Sequence, residues 1–221
     1  AAESDVAYIQ EKGTLIVGIT DFAPMDYKDD NGEWIGFDAD VAKKVAEDLG
    51  VEIQFVEIDW DNKILELENK SIDVVWNGMT LTSEVTNAMT CTNAYCNNAQ
   101  VVVVKAEDAD KYNTIDSLAD LTFAVESGSA GEAAANENNF NVTALKSQAD
   151  AVMEVAAGTS DACIIDLLMA GAMVGEGTGY ADLTHTVELT TEEYGIGCRK
   201  NSDLASYIND QLKSLYDNGT M

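Results

Sequence analysis

A serine-rich turn between a predicted strand and a predicted helix holds the first candidate binding residues. The strand Thr122–Val125 runs into Ser127-Gly128-Ser129-Ala130, and helical residues follow. Backbone amides at a helix start, together with the Ser129 hydroxyl, can hold an anion at the positive end of the helix dipole. An ordinary helix cap uses the same residues. The sequence leaves both interpretations open.

Other polar residues follow predicted strands in the same way. Asp166 ends the strand Ala162–Ile165 and opens a helix, where its carboxylate suits either an ammonium group or the cap of the helix. Gly78 and Thr80 follow the strand Ile72–Trp76, and place a carbonyl and a hydroxyl at its end. Because ligands of α/β sheets bind beyond the carboxyl ends of the strands, these residues form a candidate binding set.

Large apolar side chains are candidates for the walls of a pocket. They are Phe22, Met25, Trp60 and Trp76. For the two tryptophans the sequence favours the hydrophobic core over a pocket wall, because buried aromatic residues are more often core residues.

The residue types argue against catalysis and against a metal centre. His185 is the single histidine, and the tract around Ser129 lacks the first glycine of a nucleophile elbow. Neither a GxGxxG motif nor a P-loop occurs, and no cofactor is predicted. A zinc site is not expected, because no CxxC pair occurs among Cys91, Cys96, Cys163 and Cys198. Both disulfides and buried thiols stay open.

The charge of the chain excludes some partners. A formal net charge of −28 over 221 residues would repel nucleic acid and an anionic membrane surface. It serves solubility, or it favours cationic and zwitterionic ligands. No apolar run reaches the roughly 18 residues of a membrane span. The polar start, Ala1–Asp5, is typical of a mature or trimmed N-terminus.

The periodicity predicts alternating strands and helices. Leu15–Ile19, a turn at Asp29–Gly32, a helix over Val41–Leu49 with Gly50 after it, and Val51–Val56 make a βαβ-type unit. Further predicted helices are Lys63–Glu68, Ala133–Asn138, Ala149–Ala157, Leu167–Val174 and Ser202–Asp217, and further predicted strands are Gln100–Lys105 and Tyr194–Cys198.

Two successive α/β arrangements predict two similar lobes. Residues 1–96 and 195–221 form the first predicted lobe, and residues 97–194 form the second. The strands near Val101–Val104 and Tyr194–Cys198 cross between them, and a cleft between lobes is a usual place for a small-molecule site.

Several tracts, in this order and spacing, resemble one protein family. The chain is similar to solute-binding protein family 3, the type II two-lobed amino-acid receptors of ABC importers, from Gly13 to Thr220. The matching tracts are Gly13–Gly18, Gly36–Asp40, Asn77–Thr82, Ser127–Glu132, Asp161–Asp166, Glu193–Ile196 and Asp217–Thr220.

The resemblance implies a venus-flytrap α/β fold and a set of ligand contacts. The ammonium of an amino acid would meet Asp166, the Gly78 carbonyl and the Thr80 hydroxyl, and the carboxylate would meet Ser129 and the Ala130 amide. The remaining implied site residues are Asp21, Phe22 and Trp60 near the ligand side chain, with Asn77 and Met79 in the same tract as Gly78.

Two departures from the family pattern lead to further expectations. Val85 stands where the family has an arginine that clamps the carboxylate with a bidentate pair, so Arg199 or a lysine replaces it, or binding is weak, or the ligand lacks a free carboxylate. Cys91 and Cys198 replace apolar residues of the family on strands that should run side by side. A disulfide between them is the resulting prediction.

The leading hypothesis is a monomeric, non-enzymatic receptor for an amino acid or a derivative. The resemblance implies permease subunits as partners, and a periplasmic or cell-surface lipoprotein location outside the bacterial cytoplasm. The alternatives are an enzyme like cyclohexadienyl dehydratase on the same scaffold, a ligand-sensing ectodomain, and a receptor for an amine or amide.

Overall fold

Residues 3–221 are described by the computed structural model and form two compact units. The first unit contains the chain up to Thr20, Met25–Cys96 and Glu193–Met221. The second contains Asp21–Pro24 and Asn97–Glu192. Residues 1 and 2, which open the predicted N-terminal tract, lie outside the described residues.

Helices and strands alternate along most of the chain. The helices are α1 (Asp5–Lys12), α2 (Phe37–Leu49), α3 (Lys63–Glu68), α4 (Ser83–Ala88), α5 (Ala130–Glu137), α6 (Gln148–Ala157), α7 (Leu167–Met173) and α8 (Leu204–Asp217). The strands are β1 (Thr14–Ile19), β2 (Tyr27–Lys28), β3 (Trp34–Ile35), β4 (Glu52–Glu57), β5 (Val74–Thr80), β6 (Thr90–Cys91), β7 (Cys96–Lys105), β8 (Thr122–Glu126), β9 (Asn141–Leu145), β10 (Ala162–Asp166) and β11 (Leu183–Cys198).

Most predicted elements are confirmed, with different bounds at some ends. The predicted helix at Val41 begins at Phe37, because Gly36 adopts a positive φ of 119° that starts the helix early. The predicted strand Tyr194–Cys198 is the end of the longer β11. Strand β9 was not predicted, because its short sequence alternates weakly and is mostly exposed.

The sheet of the first unit is mostly parallel at its centre. β1 pairs in parallel with β4, from Thr14 opposite Glu52 onwards, and with β5. β5 pairs antiparallel with β11, and β11 pairs antiparallel with β6. The carboxyl ends of β1 and β5 therefore lie at the same edge of this sheet.

Each face of that sheet is covered by a hydrophobic cluster. Alternate strand residues Val17, Val74 and Trp76 pack with Ile9, Val45 and Ile208 of α1, α2 and α8. The intervening residues Val75 and Met79 pack on the other face, in a cluster that includes Trp60, Leu67 and Val85 from the segment Trp60–Asn62, α3 and α4. This alternation follows from the period of two along a strand.

The second unit repeats the arrangement with a shorter sheet. β8 pairs in parallel with β9 and with β10, and β10 pairs antiparallel with β7. Its core contains Val102, Phe123 and Ile164, and the rings of Phe123 and Phe140 stack with centroids 4.5 Å apart. The carboxyl ends of β8 and β10 lie at one edge of this sheet.

The predicted Cys91–Cys198 disulfide is wrong, since all four cysteines are free thiols. The two strands are neighbours as expected, but Cys91 is opposite Gly197, and Cys198 is opposite Thr90. The one-residue offset directs the two side chains to opposite faces of the sheet. Cys198 lies in the cluster with α1 and α8, and Cys91 packs on the cluster that contains Trp60.

Leu81 packs closely against Gly195 on β11. An added Cβ at this position would lie 2.4 Å from Leu81 Cδ2 and 2.9 Å from Leu81 Cγ. We expect Gly195→Ala to lower the free energy of unfolding by about 1–3 kcal/mol in urea titrations, because Leu81 must move as a whole. Gly171→Ala on α7 is the control, because an added Cβ at this position would meet nothing within 4 Å. An unchanged stability of Gly195→Ala would contradict the described packing.

Candidate functional site

Two candidate residues of the second unit follow adjacent parallel strands. β8 leads to Ser129, and β10 ends at Asp166. The register places Ala162 opposite Phe123 and Cys163 opposite Ala124, so the two strands end at the same edge. Ser129 and Asp166, which the sequence offered separately as candidates, therefore follow strands that end at one edge of the sheet.

The Asp166 carboxylate is held by two glutamine side chains. Asp166 is 4% exposed, and its Oδ1 accepts hydrogen bonds from Gln100 Nε2 at 2.8 Å and Gln148 Nε2 at 3.1 Å. Its backbone amide donates to Gln148 Oε1 at 2.8 Å. The side chain does not cap α7, so the helix-cap interpretation is wrong. Instead the carboxylate is fixed in a buried, polar position.

Ser129 caps α5, as one of the two interpretations predicted. Its hydroxyl accepts from the Glu132 amide at 3.1 Å, and Glu132 Oε2 accepts from the Gly128 amide at 2.7 Å. The second bond is made to the residue before the cap, so the arrangement is a variant of the capping box. The amide of Ala130, in the first helical position, has no carbonyl one turn earlier in the helix to donate to. A cap and an anion cradle are therefore compatible in this turn.

Gln100 connects the two candidate residues. A Cβ on Gly131 would lie 3.0 Å from Gln100 Oε1 and 3.0 Å from the Ile164 carbonyl, so α5 approaches the edge closely. The same glutamine donates to Asp166. Gln100 was not predicted as a site residue, although a glutamine at the start of an otherwise apolar strand is the signal that identifies it.

The corresponding edge of the first unit is fixed by buried side chains. Asn77 Oδ1 accepts from the Thr20 amide at 2.8 Å, and Asn77 Nδ2 donates to the Thr20 hydroxyl at 2.8 Å. The Gly78 amide donates to Asp38 Oδ2 at 2.6 Å. The predicted ligand residue Asn77 thus ties the end of β1 to β5, and Thr80 is half-buried at the end of β5.

The remaining predicted residues differ in burial. Asp21 is exposed and Phe22 is 2% exposed, both in the second unit. Trp76 and Met79 are 1% exposed and lie in the two core clusters of the first unit. The core interpretation is confirmed for Trp76, and the side chain of Met79 is a core group.

Arg199 is not available as a substitute for the missing arginine of the family. Its Nε donates to both oxygens of Asp5 at 3.1 Å, its Nη2 donates to Asp73 at 3.2 Å, and its Nη1 donates to the Ile72 carbonyl at 2.8 Å. Asp73 immediately precedes β5. Arg199 therefore lies at the amino end of the strands, whereas Gly78 lies towards their carboxyl ends.

A buried lysine lies beside Trp60 and was not predicted. Lys63 is 6% exposed, its Nζ lies 4.7 Å from the centroid of the Trp60 ring, and it donates to the Trp60 carbonyl at 3.3 Å. Val85 is buried in the same cluster as Trp60. The sequence signal is the spacing of four residues that puts Lys63 on the same helix face as the buried Leu67.

Three aspartates of the first unit are completely buried, and two of them have strongly raised pKa values. Asp26 and Asp38 are both 0% exposed. Burial raises the pKa of Asp38 to about 7, although hydrogen bonds from Tyr95 and the Gly78 amide act in the opposite direction. Burial, and then repulsion from Asp38 and Asp40, raises the pKa of Asp26 well above the ordinary value. Asp38 repeats at helical spacing with Val41 and Val45, which is the signal that it faces the core.

Residues 15–221 match the bacterial extracellular solute-binding proteins, family 3, and the chain belongs to this family. The chain is 27% identical to the L-cystine-binding protein TcyJ of Escherichia coli over 96% of this chain and 81% of that protein. It is 31% identical to the arginine-binding extracellular protein ArtP of Bacillus subtilis over 95% of this chain and 84% of that protein.

Solved structures show the same relationship. A mutant of ArgBP from T. maritima has a TM-score of 0.91 and 34% identity, over 98% of this chain and 95% of that chain. The ancestral amino acid-binding protein AncCDT-1, a precursor of cyclohexadienyl dehydratase, has a TM-score of 0.89 and 33% identity, over 98% of this chain and 96% of that chain. The predicted two-lobed α/β fold class and the function of an amino-acid-type solute-binding protein of ABC transport are confirmed.

Residues 3–221 contain neither a membrane-spanning helix nor a cluster of metal-ligand side chains. From residue 3 to residue 221, the helices are all too short or too polar to cross a bilayer. Within the same range, no three or more His, Cys, Asp or Glu side chains group as metal ligands would.

Replacing Arg199 separates its structural role from ligand binding. We expect Arg199→Met to lower the free energy of unfolding by about 3 kcal/mol, because Asp73 is left buried without this partner. Amino-acid affinity, measured by calorimetry at a temperature where the variant is folded, should not change. The control Lys213→Met removes an exposed pair with Asp217 and should cost less than about 0.5 kcal/mol. A stable variant that has lost its ligand would show that Arg199 is the carboxylate clamp.

Proposed function

We propose that this protein is an extracytoplasmic receptor that captures an amino acid with free ammonium and carboxylate groups and delivers it to an ABC permease. Family membership and relatives named for cystine and arginine binding support the proposal. The observation that carries it is the edge of the second unit, where an α5 N-terminus and the buried Asp166 carboxylate follow adjacent strands. These are complementary to the two charges of an amino acid.

In this proposal each charged group of the ligand has its own partners. The ammonium is bound by Asp166, the Gly78 carbonyl and the Thr80 hydroxyl. The carboxylate is bound by the Ser129 hydroxyl and the Ala130 amide at the positive end of α5. Asp21, Phe22 and Trp60 contact the ligand side chain. Asn77 and Met79 act through the backbone and packing, because their side chains are already engaged in the first unit.

Lys63 replaces the arginine of the family in our proposal. Val85 lies in the hydrophobic cluster of Trp60, and the Lys63 ammonium lies over the face of that tryptophan. A positive charge therefore lies over a tryptophan of the hydrophobic cluster that contains Val85. The ammonium adds a point charge for the carboxylate, without the bidentate geometry of a guanidinium.

The proposal assigns no chemical reaction to the site. The relatives with 27% and 31% identity are named as binding proteins, and AncCDT-1 is itself described as amino acid-binding. Asp166 Oδ1 accepts hydrogen bonds from two amide donors, Gln100 and Gln148, which hold the carboxylate in place. We propose further that the protein acts as a monomer, in the periplasm or as a cell-surface lipoprotein.

A binding experiment tests the function and the role of Asp166 together. We expect one or more of the twenty standard amino acids or L-cystine to raise the melting temperature of the protein without being consumed. Asp166→Asn should weaken that ligand about thirtyfold, or about 2 kcal/mol, because it removes the counter-charge of the ammonium. Asp120→Asn, an exposed aspartate of the same unit, is the matched control. Binding of amines alone, or consumption of the ligand, would contradict the proposal.

The role of Lys63 has its own test. We expect Lys63→Met to weaken the amino acid tenfold or more, about 1.4 kcal/mol, and Lys63→Arg to restore much of that loss. The ester of the same amino acid should bind wild type and Lys63→Met equally, since it has no carboxylate charge. Lys44→Met removes an exposed lysine from the same unit as a control. Equal losses for the acid and the ester would assign Lys63 a packing role only.

A further inference from the structure

Asp26 and Asp38 lack hydrogen-bond partners for most of their side-chain oxygens. Neither oxygen of Asp26 has a partner among the described residues, and neither does Asp38 Oδ1. Lysine and arginine side chains from residue 3 onwards form no ion pair with either carboxyl. A buried carboxylate without donors or a cation is costly, and two such charges close together are costlier.

Backbone contacts place the two aspartates next to each other. The Met25 carbonyl accepts from the amides of Asp38 at 3.0 Å and Ala39 at 3.4 Å, so the residue before Asp26 is held on the first turn of α2. Asp38 faces inward from the same turn. The second oxygen of Asp38 accepts from the Tyr95 hydroxyl at 2.9 Å and from the Gly78 amide at 2.6 Å. The pair is thus connected directly to the strand that carries Gly78.

We propose that Asp26 and Asp38 form a proton-binding pair whose charge state sets the hydrogen bond to Gly78 and thereby links ligand affinity to pH. The proton-binding pair and its hydrogen bond to Gly78 are properties of the protein without ligand. The link between this pair and ligand affinity rests on the proposed function, because it takes Gly78 as a contact of the ligand ammonium.

The groups around Asp26 and Asp38 change the pKa values of these two carboxyls in ways that support the proposal. From α2, Asp40 faces the pair and raises the pKa of Asp26 together with Asp38. Tyr95 and Cys96 lie near Asp38, and burial and this carboxylate raise the pKa of both, so they stay protonated. From β5, the Trp76 indole and the Gly78 amide lower the pKa of Asp38, which nevertheless remains at about 7. Burial therefore favours the protonated form of Asp26, while Asp38 titrates near pH 7.

The direction of the effect on ligand binding follows. Above pH 7 Asp38 is ionised and accepts more strongly from the Gly78 amide, because charge-assisted hydrogen bonds are stronger than neutral ones. The backbone at Gly78 is then better fixed, and its carbonyl, in the adjoining peptide, is positioned with it. Affinity for the amino acid should therefore fall as the pH falls through 7.

The direction of the effect on stability is opposite. Both pKa values are raised in the folded protein above the ordinary 3.8. Between pH 3.8 and the raised pKa values, the folded state binds more protons than the unfolded state. The free energy of unfolding therefore decreases as the pH rises through this interval. The contribution is fully present below pH 3.8 and is lost as the pH passes the folded pKa values. Asparagine at residue 26 avoids this loss, because it is neutral at every pH.

Two measurements on the ligand-free protein test the proton site. In ¹H–¹⁵N NMR spectra, the Gly78 amide of wild type should titrate with a midpoint near pH 7, and in Asp38→Asn it should not. Tyr95→Phe removes a donor to Asp38 and should raise the midpoint. This variant keeps the test valid where Asp38→Asn does not fold. A Gly78 amide without titration between pH 5.5 and 8.5 in wild type would overturn the proposal.

The melting temperature tests Asp26 independently. At pH 8, Asp26→Asn should melt roughly 5 °C or more above wild type, and at pH 4 the two should be nearly equal. Glu47→Gln is the control, because it removes an exposed charge of the same helix and should change the melting temperature less. An Asp26→Asn variant that is less stable than wild type at pH 8 would show that Asp26 is a charged, partnered group and would overturn the pair.

The link to the ligand is tested with the twenty standard amino acids and L-cystine by calorimetry at pH 6 and pH 8. We expect the bound amino acid to have an affinity three- to tenfold higher at pH 8 in wild type and equal affinities at the two pH values in Asp38→Asn. A titrating Gly78 with pH-independent affinity would overturn the link alone. A titrating Gly78 with no amino acid bound at either pH would overturn the proposed function and leave the proton site supported.

Discussion

Buried polar side chains at the carboxyl ends of strands must find partners inside the protein, and this constraint shapes both units. Asp166 is bonded by Gln100 and Gln148, Asn77 is bonded to Thr20, and Asp38 accepts from Gly78. Each contact joins a strand end to a different element. The edges of the sheets are therefore rigid before any ligand arrives, which lowers the entropy that binding must overcome.

The opposite edge of the first sheet carries the scaffold charges. Arg199, the single arginine of the chain, bonds Asp5 and Asp73, and Lys12 bonds Asp73 at 2.6 Å. Asp73 also accepts from the Ile16 amide. The network joins α1, β1 and the end of β11 at the amino ends of the parallel strands. The chain thus separates the charges that hold the fold from the polar groups that we propose for the ligand site.

The sequence was sufficient for the parts of the fold that have a strong local signal. The apolar spacing and Gly50 predicted α2, and the tract at Ser129 predicted the cap of α5. The features that the sequence did not reveal depend on the register between strands and on how deeply a side chain is buried. The separation of Cys91 and Cys198 follows from a one-residue offset between strands, and β9 has too few apolar residues to be recognised. Lys63 and Asp26 are polar residues whose burial is decided by elements distant in sequence.

Asp26 differs from the other buried polar residues in a way that bears on function. Asp38 has a structural reason to be acidic, since an acceptor for the Gly78 amide and the Tyr95 hydroxyl is needed at that point. Asp26 accepts no hydrogen bond among the described residues, and its burial beside Asp38 works against stability at neutral pH. A serine or asparagine there would not carry this cost. Locally unfavourable choices of this kind occur mainly where function requires them, and the group that Asp26 acts on is Asp38, which holds the backbone of the proposed ligand contact.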